Sequence, residues 1–131
     1  MNAPGARILL PSVYATCLAL IVAAANLGLL NPFTTFIHAT RGADKLFHFA
    51  LVGGLAFVIN HATRCRTIPL LRRPVLIGAA ICLPLSIIEE LSQSLIPTRT
   101  FDPADLLANV LGILIIGPLA RHLNPAAPAA C

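Results

Sequence analysis

Ionisable side chains recur at helical spacing in this sequence, beginning with a cluster near its first third. Asp44 and His48 are four residues apart, and Lys45 and His48 are three apart. Residues three or four apart share one face of an α-helix. One helix end can therefore present a carboxylate, an ammonium and an imidazole together, a combination suited to holding an anion or moving a proton.

Two more polar stripes follow downstream. Glu90, Gln93 and Pro97 repeat at helical spacing, and Arg99 stands shortly after them. The second stripe begins with two carboxylates and runs through Asp102, Asp105, Asn109 and Gly112. A polar group that faces hydrocarbon has no partner, so stripes on membrane helices should turn inward and meet. We expect Arg99, Lys45 or His48 to compensate the charge of Glu90.

These residue types predict a ligand site. Lys45 and Arg99 would hold phosphate or carboxylate, and Arg99 can do so with two parallel hydrogen bonds. Glu90, Asp105 and His48 are the candidates for acid–base catalysis, with catalytic roles otherwise unknown. The predicted ligand-binding residues share a polar side chain on one of the stripes or in the loop between them: Asp44, Lys45, His48, Glu90, Gln93, Arg99, Asp102, Asp105 and Asn109.

Enzymatic activity is left undecided by the sequence. No serine or cysteine nucleophile stands beside a base in a recognisable motif, and Ser92 and Ser94 read as small helix-compatible residues. His48 with Asp44, Glu90 or Asp105 is an alternative metal site, but these residues lack a closed metal-ligand motif. We therefore predict no metal, and any cofactor is unknown.

The elements that carry these residues are apolar. Hydrophobic residues make up 57% of the 131-residue chain and charged residues 11%, against about 45–50% and 25% in soluble domains. Four apolar runs cover residues 13–30, 46–60, 75–96 and 106–119, and about 20 apolar residues span a bilayer. We predict an all-α polytopic membrane protein that is a bundle of four transmembrane helices.

The predicted organisation is a cytoplasmic segment at residues 1–12, a membrane domain at 13–122 and a disordered Ala/Pro-rich tail at 123–131. The first run has an alternative reading as a signal peptide, because Arg7 precedes it and Ala23, Ala24 and Ala25 resemble a cleavage site. Apolar sequence continues through Leu30, which favours retention as a helix.

Basic residues predict the orientation in the membrane. Six of them fall in the two termini and the second loop, against three in the first and third loops. Both termini should therefore be cytoplasmic. All five acids flank the first or third loop, namely Asp44, Glu89, Glu90, Asp102 and Asp105. This segregation predicts one polar pocket that opens outward.

The motifs "DKLFHF" at residues 44–49, "EELSQ" at 89–93 and "RTFDPADLLANVLG" at 99–112 resemble those of the VanZ-like family of small bacterial membrane proteins. The family pattern falls on the predicted ligand-binding residues together with Phe49 and Gly112. The sequence departs from the family where Val52 and Gly53 stand in place of an aromatic residue. The resemblance implies a multi-pass inner-membrane protein, and the family takes its name from a member associated with low-level teicoplanin resistance.

Two functions follow from these observations. The pocket would bind or modify an envelope component, whether a cell-wall, lipid-linked or glycopeptide-related one, so the expected partners are the lipid bilayer and an anionic or sugar-bearing ligand. Alternatively the protein is a non-enzymatic membrane factor or partner subunit whose polar cluster is structural. Nucleic acid is not an expected partner, because the basic residues are scattered without interleaved aromatic residues. Oligomerisation is left open.

Overall fold

The computed structural model describes residues 4–40, 42–70, 72–97 and 99–124 of the chain. Its elements in chain order are α1 (Pro4–Asn26), α2 (Asn31–Ala39), α3 (Ala43–Ala62), β1 (Thr67–Leu70), β2 (Arg73–Leu76), α4 (Ile77–Gln93) and α5 (Pro103–Ile115), followed by a 3₁₀-helix at Gly117–Leu123. The chain is thus mostly helical. Residues 125–131 of the predicted disordered tail lie outside the described residues.

Three segments are long and apolar enough to cross a membrane: Arg7–Asn26, Ala43–Ala62 and Pro103–Leu123. The fourth predicted span corresponds to α4, which has 17 residues and contains Pro84. A helix of that length rises about 26 Å, somewhat less than the hydrocarbon core of about 30 Å. The helical membrane architecture is therefore supported for three spans, and the predicted four-helix transmembrane bundle is not established.

A β-hairpin corrects the prediction of an all-α chain. β1 and β2 pair antiparallel between α3 and α4, with Thr67 opposite Leu76 and Leu70 opposite Arg73. The sequence analysis placed part of this segment in an apolar helical run. The difference concerns Val75 and Leu76, the first two residues of that run, which pair with Ile68 and Thr67 instead of starting the helix.

Helix α1 lies at the periphery of the bundle. None of the span Arg7–Asn26 is buried inside the protein, and the helix already begins at Pro4. Its principal polar contact with the bundle is the Tyr14 hydroxyl, which donates to the Leu51 carbonyl of α3 at 3.0 Å. Residues 13–26 of the run that resembles a signal peptide therefore lie within one helix, which packs against α3.

Helices α3 and α5 approach each other closely because glycines face one another. A Cβ atom on Gly53 would lie 2.7 Å from the Gly112 carbonyl oxygen, and one on Gly112 would run into the Phe49 carbonyl. Small residues allow this backbone approach between membrane helices. The contact brings the first turns of α3 and α5, and the polar residues on them, side by side.

Asn60 fixes the opposite end of the bundle. This side chain is only 1% exposed. Its Nδ2 donates to the Gly117 carbonyl at 3.0 Å, and its Oδ1 accepts from the Gly78 backbone N–H at 2.8 Å. One buried amide therefore joins α3 to the first turn of α4 and to the 3₁₀-helix.

Candidate functional site

The candidate site is built around the ammonium group of Lys45 in the first turn of α3. Lys45 Nζ donates to Asp44 Oδ2 at 2.8 Å, Asp102 Oδ2 at 2.7 Å and Asp105 Oδ1 at 2.9 Å. These four residues form what we call the Lys45 cluster. An ammonium has three donors, so the cluster uses all of them and ties α3 to the start of α5.

Asp102 positions α5 as well as binding Lys45. It is the N-cap residue of α5, where its Oδ1 accepts from the Ala104 backbone N–H at 2.8 Å, and Pro103 follows as the first helical residue. Asp at the N-cap and Pro at the next position are both preferred at helix starts. The hydrogen bond from Lys45, reinforced by the one from Ala104, lowers the pKa of the Asp102 carboxyl below its ordinary value.

His48 lies one turn beyond Lys45 and faces α5. Its Nδ1 is 3.2 Å from Asn109 Oδ1, and its Nε2 is 3.7 Å from Asp105 Oδ2. Asn109 is 1% exposed and Asp105 6%. The polar faces expected on the second and fourth apolar runs therefore do meet in the structure, and His48 has a carboxylate on one side and an amide on the other.

Glu90 is completely buried near the C-terminal end of α4. Its Oε1 accepts from the Asp102 backbone N–H at 3.1 Å, and its Oε2 accepts no hydrogen bond from the described residues. The expected compensation by Arg99, Lys45 or His48 is wrong as a direct contact. The loop from α4 to α5 explains this, because it brings a backbone donor rather than a cationic side chain to the carboxylate.

Gln93 and Arg99 occupy different surroundings from the other predicted residues. Gln93 is 2% exposed, and its Nε2 donates to Glu89 Oε1 at 2.8 Å. Arg99 is partly exposed in the loop, and its guanidinium forms no hydrogen bond or ion pair with any described residue. The other seven predicted ligand-binding residues form a contiguous network of Asp44, Lys45, His48, Glu90, Asp102, Asp105 and Asn109.

The network has the groups for binding and for proton transfer. Oxygen atoms of Asp44, Asp102 and Asp105 lie within 4.8 Å of one another, and the Lys45 ammonium binds all three carboxylates. His48 lies beside Asp105, although the 3.7 Å between Nε2 and Oδ2 is longer than a hydrogen bond. The hydroxyls of Ser92 and Ser94 both donate to carbonyls of their own helix turn at 2.6 Å, as expected for small helix residues.

Two contributors were not identified from the sequence. Glu89 was named only as one of the five acids, and in the structure its Oε1 accepts a hydrogen bond from Gln93 Nε2. Asn60 was treated only as the end of an apolar run, although a lone amide within such a run was itself a usable signal because a buried amide needs partners. Neither residue belongs to the Lys45 cluster. Glu89 supports the α4 part of the site, and Asn60 holds the far end of the same helices.

The chain is mostly helical, and three of its helices are able to cross a membrane. A charged network lies at one end of these helices. These features are typical of a small multi-pass membrane protein. The model of the VanZ/LLP1 family matches residues 8–123, and the chain belongs to this family. The resemblance carried by the three motifs is thereby confirmed. No curated protein and no solved structure matches the chain.

Proposed function

We propose that this protein is a multi-pass protein of the bacterial inner membrane that binds a sugar-bearing, anionic envelope component at the end of the bundle containing the Lys45 cluster. In this proposal α4 completes a four-helix transmembrane bundle, both termini are cytoplasmic, and the Lys45 cluster faces outward. The family and the three candidate spans support the membrane location, and the basic residues support the orientation.

The observation that carries the proposal is the buried carboxylate of Glu90. One oxygen is held by the Asp102 N–H, and the other accepts nothing from the described residues although the side chain is completely buried. Buried polar groups are nearly always hydrogen-bonded. A ligand hydroxyl that displaced the atoms covering this oxygen would supply the missing donor, and sugars are rich in such donors.

Arg99 supports an anionic group on the same ligand. The charge of Lys45 is already neutralised by three carboxylates, whereas the guanidinium of Arg99 has no partner among the described residues. A guanidinium binds phosphate or carboxylate with two parallel hydrogen bonds. Lys45 then organises the site, and Arg99 takes the role of anion-binding residue that the sequence analysis gave to both.

Analysis of co-purifying lipids tests the proposed function. Wild-type protein in mild detergent should retain a sugar- and phosphate-bearing lipid, which Arg99→Gln loses and Glu90→Gln retains at a lower level. Arg73→Gln is the matched control, because it removes the same charge at the other end of the bundle. Identical lipid profiles in wild-type, Arg99→Gln and Glu90→Gln proteins that are all folded would refute the proposal.

Cysteine labelling tests the orientation and the crossing of α4 separately. In a background without cysteines, an impermeant reagent added outside should label Ala43→Cys and Thr100→Cys but not Thr67→Cys. Labelling of Thr67→Cys alone would reverse the orientation and place the Lys45 cluster in the cytoplasm. Labelling of both Thr67→Cys and Thr100→Cys would show that α4 does not cross the membrane.

The alternative is a non-enzymatic membrane factor in which the polar network only holds the helices together. The specific observation in its favour is that all three donors of Lys45 are used within the protein. Under this alternative, Arg99→Gln leaves the envelope phenotype unchanged, whereas disruption of the Lys45 cluster abolishes it through loss of fold. A catalytic role for His48, Asp105 and Glu90 requires that the bound component is chemically converted. Analysis of reaction products in the same lipid extracts would reveal such a conversion.

A further inference from the structure

The opposite end of the bundle carries a second concentration of charge, which we call the arginine end: Arg7 at the start of α1, Arg64 and Arg66 after α3, and Arg72 and Arg73 in the hairpin. None of these arginines forms an ion pair within the described parts of the chain. All five acids of the sequence lie near the other end. The positive charge here is therefore not neutralised by the protein.

Three of these arginines surround one open cavity. The cavity has a volume of about 460 Å³, and its polar lining comes from Arg7, Arg64, Arg66 and Thr63. Its apolar wall includes Ile8 of α1 and Ile77 of α4. Arg72 and Arg73 do not line it. The position of the cavity therefore distinguishes Arg7, Arg64 and Arg66 from the other arginines at this end.

The backbone after α3 is shaped to place two of these arginines. Arg64 and Cys65 both have a φ of 55°, a left-handed conformation that is uncommon for residues with a side chain. The Cys65 N–H donates to the Asn60 carbonyl at 2.7 Å, and the Arg66 carbonyl accepts from the Ile77 N–H at 3.1 Å. The turn is held at both ends, so Arg64 and Arg66 border the cavity from a fixed backbone.

A second cavity adjoins the first, with which it shares Arg7 and Ala62. It has a volume of about 440 Å³; Leu10, Val58 and Leu123 contribute apolar lining, and His61 and Asn124 contribute polar lining. In both cavities apolar side chains lie beside the arginines, namely Ile8 and Ile77 in the first and Leu10 and Val58 in the second. This combination matches a molecule with a charged head and a hydrocarbon part, whereas a free inorganic anion would make no use of the apolar lining.

We propose that Arg7, Arg64 and Arg66 form a binding site for the phosphate of an anionic phospholipid headgroup, whose glycerol and upper acyl region rests against Leu10 and Val58. Arginine suits this ligand because the guanidinium pairs with phosphate oxygens in a fixed geometry, and basic residues at a membrane surface attract anionic lipids. The site is independent of the function proposed for the Lys45 cluster, because it lies at the other end of the helices.

Two double variants with equal charge test the proposal. Arg64→Gln/Arg66→Gln changes cavity-lining residues, and Arg72→Gln/Arg73→Gln removes the same charge beside the cavity. We expect wild-type protein and Arg72→Gln/Arg73→Gln to form phosphatidylglycerol adducts in native mass spectrometry, and to melt at higher temperature when that lipid is added. Arg64→Gln/Arg66→Gln should bind it about tenfold more weakly or worse, and phosphatidylcholine should have little effect on any of them.

Several outcomes would overturn the site. If both double variants bind phosphatidylglycerol equally weakly, the lipid is attracted by the overall positive charge and not by a defined site. A melting shift of the same size with millimolar inorganic phosphate would identify a free-anion site, and one of the same size with phosphatidylcholine would remove the role of charge. If Arg64→Gln/Arg66→Gln does not fold, Arg7→Gln replaces it, because Arg7 borders both cavities from α1. Unchanged phosphatidylglycerol binding by Arg7→Gln would then contradict the proposal.

Discussion

At one end of the bundle, Lys45 is held by Asp44, Asp102 and Asp105, and at the other end the arginines have no acidic partner among the described residues. The first arrangement joins α3 and α5 through charge. At the second end the joining is done by Asn60, a neutral amide beneath the arginines. Charge is thus part of the internal structure at one end, whereas at the other it is presented to the surroundings.

The comparison predicts which substitutions affect folding. Charge changes within the Lys45 cluster should alter the free energy of unfolding, and changes of arginines without a partner should not. At the arginine end, we instead expect a substitution of the neutral residue Asn60 to lower the free energy of unfolding. Thermal unfolding in mild detergent, followed by far-UV circular dichroism, measures each of the following effects.

Asn60→Ala should have the largest effect. It leaves the Gly117 carbonyl and the Gly78 N–H without their partner inside the protein, at about 1–3 kcal/mol for each unsatisfied group. For the two groups together we expect a loss of about 2–6 kcal/mol. Arg72→Ala is the control at the same end, with an expected change within about 0.5 kcal/mol. A smaller loss for Asn60→Ala than for Arg72→Ala would mean that charge, rather than the amide, stabilises this end.

Lys45→Met should come next. It leaves three neighbouring carboxylates without their shared cation, and breaking a fully buried pair is worth about 3–5 kcal/mol. The side chain of Lys45 is 36% exposed and that of Asp102 41%, so solvent screening lowers the expected loss to about 1–3 kcal/mol. Adding Asp102→Asn and Asp105→Asn should restore part of it. No recovery in the triple variant would show that the cluster acts through packing and not through charge.

Lowering the pH should destabilise the protein at the Lys45 end by less than Lys45→Met does. The folded-state pKa of Asp102 lies below its ordinary value of 3.8 because Lys45 and the Ala104 N–H bind the carboxylate. Its contribution to stability is therefore complete above pH 3.8 and is lost as the pH falls through the lower folded-state pKa. The melting temperature of the wild type should drop in that window, and Asp102→Asn should show a shallower drop. Parallel curves for the two proteins would contradict this assignment.

Arg99→Gln should have the smallest effect on stability, within about 0.5 kcal/mol. Arg99 lies at the Lys45 end, but like the arginines of the other end it has no partner among the described residues. We expect its unfolding curve to overlay that of Arg73→Gln. A loss comparable to that of Lys45→Met would show that Arg99 belongs to the structural network, and would argue against its proposed role as an anion-binding residue.

Helical periodicity predicted the parts of the site that depend on one helix face. The pairing of the Asp44–His48 stripe with the Asp105–Asn109 stripe follows from spacing and from the exclusion of polar groups from lipid. The partner of Glu90 could not be predicted in this way, because it depends on the path of a loop that brings the Asp102 N–H over α4. The hairpin was missed for a related reason, since Val75 and Leu76 continue an apolar run but pair as a strand.

The contacts of Lys45 have a consequence for the biogenesis of the protein. Asp102 and Asp105 follow it by 57 and 60 residues, so α3 leaves the ribosome before either carboxylate has been translated. Until then, Asp44 is the only one of the three acids available to the ammonium. The last membrane helix and its N-cap therefore supply two of the three acceptors for an ammonium on an earlier helix. In a nascent chain that stops before Asp102, Lys45 is paired with Asp44 alone, and the connection from α3 to α5 cannot yet form.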